Sequence, residues 1–150
     1  MKTSRLITFL LTVTGLLVAG YLTLLHYDTR VPLACGKAGI VDCARVLSSP
    51  ASVVAGLPVA LWGLLYFAAA LVLRVLAHRQ PARFASVIAV MNLAGALAVV
   101  FLVYTELYVV GSICLWCTGI HVIVLSIFVI EALDRPGAGA VRSSGHARAQ

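Results

Sequence analysis

Charge is scarce in this sequence. Charged residues make up 11% of the chain, with 5 acidic against 11 basic, and the mean hydropathy is +1.07. Soluble domains carry about a quarter charged residues, so a fold solvated on all sides by water is excluded. There is no glycine-rich dinucleotide fingerprint and no haem motif, and 4 cysteines are too few for an iron–sulfur cluster beside two cysteine pairs. The basic residues form no stripe interleaved with aromatics, which argues against nucleic acid as a partner despite a net charge of +6. Neither an internal repeat nor a second domain is visible.

Hydrophobic residues, in contrast, make up 62% of the chain, arranged in four runs. A helix crossing a membrane needs about 20 apolar residues, since every backbone polar group must be bonded within the segment. The four runs predict spans at about 6–26, 57–77, 84–106 and 113–133. The expected fold is an all-α integral membrane protein, a four-transmembrane-helix bundle occupying residues 1–134. Residues 135–150, with Pro136, Gly137, Gly139 and Gly145, have linker composition and predict a flexible tail. Lys2 and Arg5 ahead of an apolar run also suit a signal peptide. The run continues past Val18-Ala19-Gly20 through Leu25, however, which is too long for a signal core and predicts a retained first helix.

With four alternating helices, Lys2, Arg5, Arg74, Arg79, Arg83, Arg135, Arg142 and Arg148 share one side, leaving Arg30, Lys37 and Arg45 on the other. The basic excess marks the cytoplasmic side, so both termini are expected there, in a cell (inner or plasma) membrane. The loop from Tyr27 to about Gly56 is then external. Its second half, Val46 to Gly56, is too apolar for a solvated loop and too short to span, and reads as an interfacial or re-entrant helix. Pro58 suits the first turn of the second span. Leu107 to Ile113 is expected to be a short external turn.

All four cysteines, Cys35, Cys43, Cys114 and Cys117, fall at the external side in this topology, where disulfides persist. Cys114-Leu115-Trp116-Cys117 opens the last helix, with Ser112 as its candidate N-cap, and a helix N-terminus favours thiolate. A four-thiolate zinc site fits poorly, because seven residues separate the first pair and a dianionic site at the lipid edge is costly to desolvate. Two static disulfides in a non-enzymatic membrane subunit are the alternative function. A dithiol that gives up electrons inside the membrane needs an acceptor, and a lipid quinone near Cys117 is the available one.

The pattern Cys35, Cys43-Ala44-Arg45-Val46-Leu47-Ser48-Ser49, Gly56-Leu57-Pro58, Gly63, Tyr66 and Cys114-x-x-Cys117 resembles the bacterial form of the vitamin K epoxide reductase family. The resemblance implies a quinone-dependent thiol–disulfide oxidoreductase that supports disulfide formation in exported proteins. In it, Cys35 and Cys43 are the shuttle pair, Cys43 exchanges with Cys114, Cys117 reacts with the quinone, and Ser49 matches the family's serine. Animal members place an asparagine and a tyrosine near the quinone; Val59 and His121 stand at those positions here, which counts against epoxide reduction. Many bacterial members carry a fused thioredoxin-like domain, so a separate external thioredoxin-like (DsbA-like) partner is implied. The candidate quinone contacts are Trp116, His121, Val59, Trp62 and Asn92. Glu106, at the end of an uncharged run, reads as an interfacial residue in preference to a proton relay.

Overall fold

In the computed structural model, residues 2–28, 30, 32–35 and 37–134 are described; the expected tail at 135–150 lies outside them. Four helices are long and apolar enough to cross a membrane: α1 (Lys2–Tyr27), α3 (Val59–Arg79), α4 (Pro81–Tyr104) and α5 (Leu115–Leu133). Helix α1 packs on α3 and α5, and α4 packs on the same two, so the helices close a ring in the order α1, α3, α4, α5. Ala19, Phe67, Val99, Val124 and Ile127 form its buried centre. Leu17, Val72, Leu97, Val100 and Val122 are exposed on the outside, an apolar surface suited to lipid rather than water.

Close packing dictates two glycines. A Cβ on Gly15 would lie 2.3 Å from the Phe67 ring, and one on Gly95 would lie 2.7 Å from the Tyr66 hydroxyl. Small residues of this kind let membrane helices approach closely.

The expected single helix over Val46–Gly56 is replaced by three pieces. Helix α2 covers Cys43–Leu47, Pro50–Ser52 makes a 3₁₀ turn, and β1 (Val53–Val54) pairs antiparallel with β2 (Leu57–Pro58). Pro50 holds Ser49 in extended backbone, φ −70° and ψ 150°, which stops α2. Ala55 and Gly56 both have positive φ, the geometry of a two-residue hairpin turn. Pro58 pairs with Val53 in the hairpin, so the second span begins one residue later, at Val59.

The expected turn at Leu107–Ile113 is also corrected. Instead of ending at Glu106, the third span continues as a π-helix over Thr105–Val110, and Gly111 closes it in the left-handed region. The carbonyl of Glu106 accepts from the N–H groups of both Gly111 and Ser112. Leu107 to Val110 are as apolar as the helix before them, so the chain stays helical until glycine allows it to turn.

Arg74, counted from the sequence among the loop cations, lies within α3 with its side chain buried against Glu131 of α5 at 2.6 Å. Glu131 also accepts from the Asn92 amide, and the Tyr66 hydroxyl lies 3.4 Å from Asn92 Oδ1. Three helices are thus joined by one polar network.

Candidate active site

At the end of the bundle where α1 finishes and α5 starts, all four cysteines meet. Cys43, Val46 and Cys114 form a second buried cluster, with Cys35, Trp116 and Cys117 packed on it. Cys35 and Cys43 are joined as a disulfide, with Cα atoms 6.0 Å apart, while Cys114 and Cys117 are free thiols.

Backbone hydrogen bonds bring the pairs together. Asp42 N–H donates to Ile113 O at 3.1 Å, and Ile113 N–H donates to Ile40 O at 2.9 Å, a parallel bridge centred on Val41 and Ile113. Cys43 follows directly after Asp42 and Cys114 directly after Ile113, so a bridge of two bonds carries both into one cluster. Asp42 also caps α2, its carboxylate accepting from Arg45 N–H at 3.0 Å and pairing with Lys37 at 3.1 Å. The Arg45 N–H bond, ahead of Lys37, holds the Asp42 carboxyl below the usual carboxylate range.

The N-cap of α5 is Cys114, not Ser112. Cys114 has extended backbone, and its sulfur accepts from Cys117 N–H at 3.2 Å. Ser112 is buried two residues earlier, with its N–H on Glu106. A thiolate at the cap satisfies a helix N–H that has no partner within the helix. The Cys117 thiol holds Cys114 below the ordinary thiol range; backbone N–H groups of Cys117 and Trp116 add to this, while burial opposes it. Cys114 is thereby prepared as a nucleophile.

The two sulfurs of the CxxC face different surroundings. Cys117, but not Cys114, lines a cavity of about 350 Å³ between the helices, whose walls include Leu22, Phe67, Val99 and Leu102. Val59, Trp62, His121 and Ser49 line it too. His121 is buried one turn after Cys117. The Ser49 hydroxyl donates to Val46 O at 2.9 Å and does not cap the 3₁₀ turn.

Two predicted quinone contacts lie elsewhere. Asn92 is buried against Glu131 and Tyr66, away from the cavity wall, because it satisfies a carboxylate instead of facing a ligand. Trp116 turns toward the cysteine loop: its indole N–H donates to Ala34 O at 3.1 Å, and its ring meets Tyr21 at 5.5 Å. The Tyr21 hydroxyl accepts from Ala34 N–H at 3.2 Å and donates to Pro32 O at 2.8 Å. The residue before Cys35 is therefore clasped through both its backbone groups. Trp116→Phe keeps the ring and removes the donor; at about 1 kcal/mol per hydrogen bond, reduction of the Cys35–Cys43 bond by a small dithiol should accelerate roughly fivefold. An unchanged rate, followed by quenched alkylation, would show that the indole bond does not restrain this segment.

From the sequence, Glu106 ranks as an interfacial residue ahead of a proton relay. It is 8% exposed, lines the cavity, and hydrogen-bonds the Cys117 thiol and the Cys114 N–H. Its signal was a single carboxylate breaking an uncharged run eight residues before Cys114, a position that a turn would have left at the interface.

The family model of the vitamin K epoxide reductase family matches residues 6–132. No curated protein matches the chain.

Proposed function

Because the chain belongs to the vitamin K epoxide reductase family and is a multi-pass membrane oxidoreductase, we propose that it oxidises the dithiol of an external thioredoxin-like protein and passes the electrons to a lipid quinone. The observation that carries this reading is the division of the CxxC: Cys114 is buried with Cys43, whereas Cys117 opens on the apolar cavity.

The electron path follows from thiol–disulfide exchange. A partner thiolate attacks the Cys35–Cys43 bond at Cys35, the electron pair leaves on Cys43, and the partner's second thiolate closes its own disulfide. Cys43 then attacks Cys114 of an oxidised Cys114–Cys117 pair, and Cys117 takes the pair as that bond breaks. Attack of Cys35 on Cys43 releases Cys114. This leaves Cys35–Cys43 joined and Cys114 and Cys117 free, the arrangement present in the structure. Both cysteine pairs belong on the external side of the cell membrane in this scheme, with both termini cytoplasmic.

The cavity fits a quinone headgroup. Its volume falls within the roughly 300–1,000 Å³ of small-molecule sites, and its walls are apolar with a few polar groups. A quinone bound there supplies an acceptor for two electrons and two protons. Cys117 would face it, Val59 and Trp62 would pack on it, and His121 and Ser49 would offer polar contacts.

The test is purified protein in lipid with quinone and a reduced thioredoxin-like substrate, monitored by quinone absorbance. One quinol per substrate disulfide is expected. A Cys35–Cys43 bond that the substrate never reduces would reject the reading.

A further inference from the structure

Glu106 has a setting unlike that of the half-buried carboxylate on α5. Glu131 is ion-paired with Arg74. Among the described residues no lysine or arginine pairs with Glu106, although it is 8% exposed in a helix long and apolar enough to span. A carboxyl kept at membrane depth without a counter-ion calls for a functional account. The π-helix is what aims it inward: its carbonyl is fixed by Gly111 and Ser112, and its side chain accepts from Cys114 N–H and meets the Cys117 thiol. The carboxyl of Glu106 and the sulfur of Cys114 are both acceptors for the Cys117 S–H. The three groups form a row, Glu106 to Cys117 to Cys114, with the Cys117 proton at its centre.

We infer that Glu106 is a catalytic residue of the exchange between the two cysteine pairs, giving a proton to Cys117 Sγ as the Cys114–Cys117 bond opens and taking it back as the bond closes. The step rests on the route proposed above and balances within the chain. The Cys43–Cys114 bond forms, the Cys114–Cys117 bond breaks, the electron pair goes to Cys117, and the proton on Glu106 follows it. Without that proton a second anion would develop beside Glu106 in an apolar site, at high desolvation cost. The titratable groups that line the cavity with Glu106 are Cys117 and His121 of α5, Tyr66 of α3 and His26 of α1; Cys114, the cap of α5, and Cys43 of α2 lie in the adjoining buried cluster, with Arg45 exposed on α2. Cys114 and Cys117 are the hydrogen-bond partners.

The experiment uses the full chain with Cys35→Ser in quinone-free nanodiscs, oxidised with diamide at mildly acidic pH and then jumped to a series of higher pH values. Quenched alkylation and mass spectrometry follow the Cys43–Cys114 species. With Glu106 present, its rate should rise as Cys43 ionises and fall again as the carboxyl loses its proton. Glu106→Gln should be slower by about 10²-fold at neutral pH, in the range of general acid catalysis, and should lack the falling limb. Glu106→Asp should be slower but keep that limb at a shifted pH, and it decides the matter if the glutamine variant does not fold. Native rate and profile in Glu106→Gln, or an unshifted profile in Glu106→Asp, would overturn the assignment. Failure to form any Cys43–Cys114 species in the parent would instead remove the exchange route, and the role of Glu106 with it.

Discussion

Cys117→Ala is expected to abolish turnover and to leave a covalent trace of the route, a Cys43–Cys114 mixed disulfide that accumulates. With Cys117 gone, Cys114 has no partner within the CxxC, but it still lies in the buried cluster with Cys43. Attack of Cys114 on the Cys35–Cys43 bond joins it to Cys43 and frees Cys35, and no second thiol is left in α5 to displace it. The loss in kcat should be about 10³-fold or more, as when a group that acts as part of a unit is removed. Cys114 would also lose the thiol that lowers its pKa most. In a Cys35→Ser/Cys43→Ser background, alkylation of Cys114 should therefore need higher pH once Cys117 is alanine, because less thiolate is present at any given pH. Cys114→Ala should stop turnover equally and yield no such mixed disulfide. Substantial turnover by Cys117→Ala would contradict the route.

The second large effect is on stability. Arg74→Met should destabilise the bundle by about 3 kcal/mol, the low end of the cost of removing one partner from a buried ion pair, because the Glu131 side chain keeps 21% of its surface exposed. Arg74 and Glu131 lie on α3 and α5, which both contact α1 and α4 but sit across the ring from each other. The bond therefore braces the bundle along its diagonal, and the Asn92 amide adds α4 to it. Leaving the Glu131 carboxylate unpaired is the costly part. Adding Glu131→Gln should recover most of the loss, because the neutral amide still accepts from Asn92. Unfolding of both variants in detergent of fixed composition measures this. Equal stability of Arg74→Met and the parent would show that the carboxylate is satisfied some other way.

Several site residues were legible in the sequence because their chemistry depends on residue type and order. Cys114-x-x-Cys117 at the start of an apolar run, and Cys35 and Cys43 in the one long loop, need no tertiary information to be recognised as redox candidates. Ser49, Val59 and His121 followed from a motif pattern and Trp62 from its aromatic ring near the start of a span, and all four reach the cavity wall. Trp116 and Asn92 did not, for a common reason. An indole inside the CxxC and an amide inside a span both have hydrogen-bonding groups, and which neighbour takes them depends on the packing of other segments. Ala34 and Glu131, 82 and 39 residues away, take them here.

Length and polarity are additive along a chain, so the sequence by itself determined four membrane-spanning helices and the gathering of the cysteines toward one end. Hydrogen-bond partners and side-chain direction depend instead on segments far apart in the chain. Only the tertiary structure decided that α5 is capped by a cysteine sulfur, that Cys114 and Cys117 face different surroundings, and that the third span winds into a π-helix. That last departure, held by Gly111 and Ser112 on one carbonyl, turns Glu106 from a boundary residue into a neighbour of the reacting sulfur.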